Sequence, residues 1–223
     1  MKDVDDADIR LNTGLGKDVV SITATAKAED ISVSGNLGNN GEDVTVDGSA
    51  ATSGIKIDLS GLEGYATSTI TGVDSKADTL IGGVGADKII AGVASFDAAL
   101  VDTLTGGAGA DTFVAGKAAS GETTANNITV TTVITDFTPE DGLAFTGGAV
   151  GTVANFASIA SSNDVAAFVT AALAELSTTV LYVAGTVGND TYVLHGTGTA
   201  NTADALVHLQ GVSGVTYDDI VTG

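Results

Sequence analysis

Short runs in which apolar and polar positions alternate fill the first half of the chain: VVSITAT at 19–25, DISVS at 30–34, DVTVD at 43–47, IKIDLS at 55–60 and STITG at 68–72. A period of two on β-branched residues turns one face of each run to a core and the other to water, so each run is predicted to be a strand. The runs begin about a dozen residues apart, with connections such as GNLGNNGED between them. That spacing leaves no room for a helix between strands and is the rhythm of a parallel β-roll or β-solenoid.

The pattern changes after Lys117. Ile128–Val133 and Val180–Val183 read as strands, as do DTYVLHG at 190–196 and DALVHLQGV at 204–212. Between them the period lengthens: Val165, Val169, Leu173 and Leu176 share one face of a predicted helix that Asn163-Asp164 would cap. All eight basic residues lie between Lys2 and Lys117, and the tail beyond carries ten carboxylates and no cation. The expected organisation is therefore a roll over 1–117 and a C-terminal cap over 118–223. The expected fold class is all-β, a parallel β-roll followed by a β-rich cap with one short helix.

Composition narrows the choice of partners. The 223 residues carry 28 acidic and 8 basic side chains, a net charge of −20. No basic surface remains to neutralise phosphate, which argues against nucleic acid and anionic lipid and favours cations. Mean hydropathy is +0.32, too apolar for wholesale disorder. Aromatics are only 4% of the chain, so the core must be aliphatic and thin. Cysteine is absent, which excludes disulfides and thiolate metal sites. The opening MKDVDDADIR has no apolar segment of a cleaved signal peptide, and no run reaches the roughly 20 apolar residues of a membrane helix.

Two nonapeptides carry the chemistry: GGVGADKII at 82–90 and GGAGADTFV at 106–114. Both fit G-G-x-G-x-D-x-U-x, where U is a large apolar residue, a repeat associated with calcium. Glycines allow a tight turn with inward carbonyls, and the Asp adds a hard anionic oxygen of the kind calcium takes six to eight of. The candidate ligands are Gly82, Gly83, Gly85 and Asp87 in the first turn and Gly106, Gly107, Gly109 and Asp111 in the second. Asp78 and Asp102 each lie nine residues before a repeat Asp and extend the register. Gly14, Gly16 and Asp18 in TGLGKDVVS form a degenerate, weaker copy, and LGNNGEDVT at 37–45 a looser one. With nine residues per half-turn the expected unit is 18 residues. The 24 residues from Asp87 to Asp111 then imply a six-residue insertion within GVASFDAAL, and the two glycine turns should stack on the same side.

These repeats, the irregular Thr-, Ala- and Val-rich rungs such as GIKIDLSGLEG, and the flank VITDFTPEDGLAF make the chain resemble the RTX family. Members of that family are calcium-dependent proteins exported by type I secretion, and the closest likeness is to the C-terminal part of Gram-negative RTX S-layer proteins. The resemblance implies a Ca²⁺-binding structural module, secreted to the extracellular medium or cell surface, that self-associates into an oligomer or lattice. It also implies recognition by the type I secretion machinery through an uncleaved C-terminal signal, for which the tail ending in Ile220-Val221 is suited. Surface polysaccharide, met through other parts of the full-length protein, is a further implied partner. The flank departs from the family's pattern, because Asp141-Gly142 reverses the usual Gly-x-Asp order. That leaves Asp141, with Asp30, Asp43 and Asp190, as a turn residue.

His195 and His208 have no further ligand at metal spacing and read as structural. No H-E-x-x-H, G-x-S-x-G or phosphate-binding loop is present, so no enzyme is expected. The alternative function is the calcium-binding export module of a secreted RTX protease, lipase or adhesin.

Overall fold

A computed structural model describes residues 7–10, 19–23, 30–36, 43–63 and 67–223. In chain order the first strands are β1 (Ala7–Arg10), β2 (Val19–Thr23), β3 (Asp30–Asn36), β4 (Asp43–Asp47), β5 (Lys56–Glu63) and β6 (Thr67–Thr71). Then follow β7 (Thr79–Ile81), β8 (Lys88–Ile90), β9 (Asp102–Thr105), β10 (Thr112–Ala115), β11 (Thr132–Ile134) and β12 (Gly142–Phe145). Odd-numbered strands enter one sheet and even-numbered strands the other, and the pairings among these twelve are parallel. The chain is mostly β, as the alternating runs predict. Parallel pairing continues past Lys117 through β11 and β12.

Two facing ladders of aliphatic side chains form the core. Ile31, Ile57, Leu80, Leu104, Ile134 and Leu209 follow one another in register in the first sheet. Val46, Ile70, Ile89, Phe113 and Leu143 do so in the second, and all eleven are buried. Each unit thus contributes one large residue per sheet, which is why a chain poor in aromatics can close this core.

Unit length corrects one expectation. In-register residues of successive units stand 24 apart at Asp78 and Asp102, and again at Asp87 and Asp111. The same spacing relates β1 to β3 and β4 to β6, far from the nonapeptides. The unit is therefore not 18 residues with a single insertion. One side keeps nine residues from Asp to Asp, and the other side carries the extra length. Nor does segment 91–101 bulge freely. Ser75 N–H donates to the Val93 carbonyl at 2.7 Å, Val93 N–H to Asp74 Oδ1 at 2.7 Å, and Ala94 N–H to the Lys117 carbonyl at 3.2 Å.

The C-terminal part adds β13 (Phe156–Ser158), α1 (Val165–Glu175), β14 (Tyr182–Val187), β15 (Asp190–Gly196) and β16 (Ala203–Leu209). Strands β14, β15 and β16 are antiparallel, and β16 joins the first sheet by parallel pairing with β11. The strand expected over Ile128–Val133 shrinks to Thr132–Ile134. Ala125–Asn127 instead form a 3₁₀ turn, and Ile128 packs in the helix-side core. Phe168, Val169, Ala172 and Leu173 of α1, with Leu176 just beyond it, cover Val183, Tyr192, Leu194 and Leu206. The opposite face of the same sheet, with Val193, Ala205 and Val207, joins the core of the parallel units. Burial on both faces explains the near-continuous apolar text of β15 and β16. Among the described residues no helix is long and apolar enough to cross a membrane.

Asp164 caps α1 as the sequence predicts, its Oδ1 accepting Ala167 N–H at 2.8 Å. Asp164→Ala is expected to lower stability by about 1 kcal/mol in chemical denaturation, since it removes one cap from an end with free N–H groups.

Candidate functional site

Each repeat Asp precedes a core residue by two positions: Asp78 before Leu80, Asp87 before Ile89, Asp102 before Leu104, Asp111 before Phe113. Strand alternation sends residues i and i+2 to the same face, so these carboxylates are carried inward with the core. Their exposure is 2%, 2%, 2% and 3% respectively. Buried carboxylates must be hydrogen-bonded, and these are.

On the glycine side the carboxylates form a column along the stacked units. Asp87 Oδ1 accepts Ser68 N–H at 2.7 Å, and its Oδ2 accepts Gly83 N–H of its own turn at 2.6 Å. Asp111 Oδ1 accepts Asp87 N–H at 2.8 Å, and Asp141 Oδ1 accepts Asp111 N–H at 2.8 Å. One oxygen therefore ties each unit to the one before it, while at Asp87 and Asp141 the second closes the local turn. On the opposite side Ile55 N–H donates to Asp78 Oδ1 at 2.8 Å and Asp78 N–H to Asp102 Oδ1 at 2.9 Å. Val73 N–H donates to Asp78 Oδ2 at 2.5 Å. Thr132 takes the next place in that column, and its buried hydroxyl has no partner.

The turns 82–87 and 106–111 lie one on the other, as the motif register predicts. Ala108 N–H donates to the Gly83 carbonyl at 3.0 Å. A Cβ at Gly107 would stand 2.0 Å from that carbonyl oxygen, and φ there is +101°. A Cβ at Gly106 would stand 2.1 Å from Asp111 Oδ2. Gly82, Gly83, Gly85 and Asp87 thus form one layer and Gly106, Gly107, Gly109 and Asp111 the next. Asp78 and Asp102 stack on the far side. Gly14, Gly16 and Asp18 lie outside the described residues.

Two carboxylates that the sequence reading placed elsewhere belong to this stack. Asp136 spans the second turn from above, its Oδ1 and Oδ2 accepting the N–H groups of Gly106 and Gly107, each at 2.9 Å. Asp141 does close a turn, its Oδ2 accepting from Thr138 N–H at 2.7 Å and Thr138 Oγ1 at 2.9 Å. It also occupies the column position above Asp111. The exchange of Gly and Asp disguised this, but Asp141 stands two before Leu143, the same Asp-to-core spacing as in the nonapeptides. Asp190 holds Gly211 N–H and His208, and His195 pairs with Asp204.

Burial raises all four repeat carboxyls. Asp102 is pushed up to about 8, chiefly by desolvation and also by the neighbouring Asp78. Asp111 is pushed up to about 6 by desolvation, with added repulsion from Asp87, Asp141 and Asp136. Asp78 and Asp87 move in the same direction for the same main reason. A carboxyl whose folded pKa is raised contributes stability below its unfolded value, near 3.8, and loses it as pH climbs through the folded value. The metal-free protein is therefore expected to melt at progressively lower temperature as pH rises through about 6 and then about 8. Asp102→Asn should flatten the upper part of that slope. A metal-free melting temperature that rises across this window would contradict the assignment.

The donor chemistry at the stacked turns is oxygen alone, from carboxylates and peptide carbonyls, which suits calcium and not zinc or copper. Among the described residues no three carboxylate or imidazole side chains converge on one point. A bound ion would therefore take much of its shell from turn carbonyls. The chain matches no protein-family model and no curated protein.

Proposed function

We propose that the chain is a calcium-binding structural module of RTX type, a β-roll from a secreted cell-surface protein that folds and self-associates in extracellular calcium. The supporting observation is the column Asp87–Asp111–Asp141 inside three stacked turns. The carboxylates there are desolvated, close enough to repel, and flanked by turns too tight for any residue but glycine. Asp87 and Asp111, with Asp136 and Asp141 at the C-terminal end, are the side chains that would hold the ion. Calcium would supply the positive charge that lets these carboxylates stay ionised while buried. The chain's own share is to orient them, since the N–H groups of Ser68, Gly83, Asp87 and Asp111 fix each carboxylate in place. No catalytic role forms part of this reading.

Sedimentation of the purified chain tests the assembly. Calcium is expected to drive association, and magnesium to substitute poorly because it demands a smaller octahedral shell and keeps its waters. A monomer at every protein and calcium concentration would remove the S-layer-like assembly and leave the export module of a secreted enzyme or adhesin.

A further inference from the structure

A second polar centre lies apart from the Asp columns, in a cleft of about 410 Å³ between the end of β12 and the β14–β15–β16 sheet. His195 and Asp204 line it, with Lys117, Thr178 and Thr197. His195 is only 4% exposed and Asp204 7%. Antiparallel pairing sets His195 opposite Ala205, next to Asp204, and the Asp204 carboxylate hydrogen-bonds His195 Nδ1. The ring is further fixed by stacking on Phe145, with centroids 4.7 Å apart and planes 18° apart. Such a carboxylate partner sets the tautomer and leaves Nε2 as the group the imidazole can present. His195 Nε2 has no protein partner, and it is not among the sealed, unpartnered polar atoms of the described residues.

Lys117 is the last cation of the sequence, and among the described residues no carboxylate forms an ion pair with it. An unpaired ammonium and an oriented imidazole therefore face one cleft, in a part of the chain otherwise rich in carboxylates. The two threonine hydroxyls at its rim can donate to the same ligand. We propose that this cleft binds a small oxyanion, a carboxylate or sulfate group carried by an otherwise neutral molecule, between Lys117 Nζ and His195 Nε2. The net charge of −20 repels polyanions, so the fitting ligand is small and weakly charged. Asp204 balances one positive charge when the imidazole is protonated, so the site then holds one net positive charge for one anion. This inference stands independently of calcium binding, because the cleft includes none of the repeat carboxylates.

The test is nuclear magnetic resonance of the imidazole signals of the full chain near pH 6, at constant calcium. Acetate, glucuronate and sulfate are the probes, and glucose is the neutral control. The protein has two histidines, and His208, paired with Asp190, serves as internal reference. The expected result is a saturable shift of His195 with at least one anion, no shift with glucose, and a still His208. In Lys117→Met the binding should weaken about tenfold or more, as expected for one lost charge-assisted hydrogen bond. Lys117 is partly exposed, so this variant should fold, and the unchanged remainder of the spectrum would establish that. Response to acetate and glucuronate alone identifies a carboxylate ligand; response to sulfate alone identifies a sulfate-like one. No saturable His195 shift with any anion, or an equal shift in Lys117→Met, would overturn the proposal.

Discussion

Gly107→Ala is expected to destabilise the protein by more than about 3 kcal/mol, the largest effect of any single methyl group added to it. The new Cβ would stand 2.0 Å from the Gly83 carbonyl oxygen, where neither partner can yield because both belong to backbone in stacked turns. The φ of +101° adds strain that only glycine escapes. Gly147→Ala is the matched control: φ is +63°, but nothing lies within 4 Å of the added atom, so the cost should be about 1 kcal/mol. Chemical denaturation of the two variants decides. Equal losses would mean that turn stacking contributes nothing beyond backbone strain.

The second large effect is that of withdrawing calcium. Twenty excess negative charges repel one another in a compact state, and the Asp columns concentrate that repulsion inside the protein. In chelator the strand signal in circular dichroism is expected to fall, with loss centred on residues 72–114. It should return at roughly millimolar calcium, the range of extracellular modules. The antiparallel β14–β15–β16 sheet and α1 have their own apolar core and should outlast the parallel units. A spectrum unchanged in chelator would remove calcium from the folding of the chain.

Local alternation made individual strands legible. DVTVD at 43–47 is a strand from end to end because its apolar valines, and nothing else, face the core. The helix was legible for a similar reason, since Asp164 caps it and its apolar face matches a period of 3.6. The stacking of the two glycine turns followed from the shared Asp-to-core spacing. Unit length was hidden because the upstream runs carry no glycine–aspartate marker from which to count, so nine residues per half-turn was extended to connections that are longer. Asp136 was missed because its partners, the N–H groups of Gly106 and Gly107, lie 30 and 29 residues away in sequence. The His195–Asp204 pair likewise exists only once β15 folds back on β16, which no local pattern encodes.

The most direct test is a calorimetric titration of calcium onto the intact chain and onto Asp87→Ala, Asp111→Ala and their double variant, with Asp78→Ala combined with Asp87→Ala for comparison. If the stacked turns share an ion, either single substitution removes most of its binding energy, and the double variant loses much less than the two losses combined. Asp78 lies in the other column, so its loss should add nearly independently to that of Asp87. Additive losses for Asp87 and Asp111, together with strong coupling between Asp78 and Asp87, would contradict a shared ion between the glycine turns.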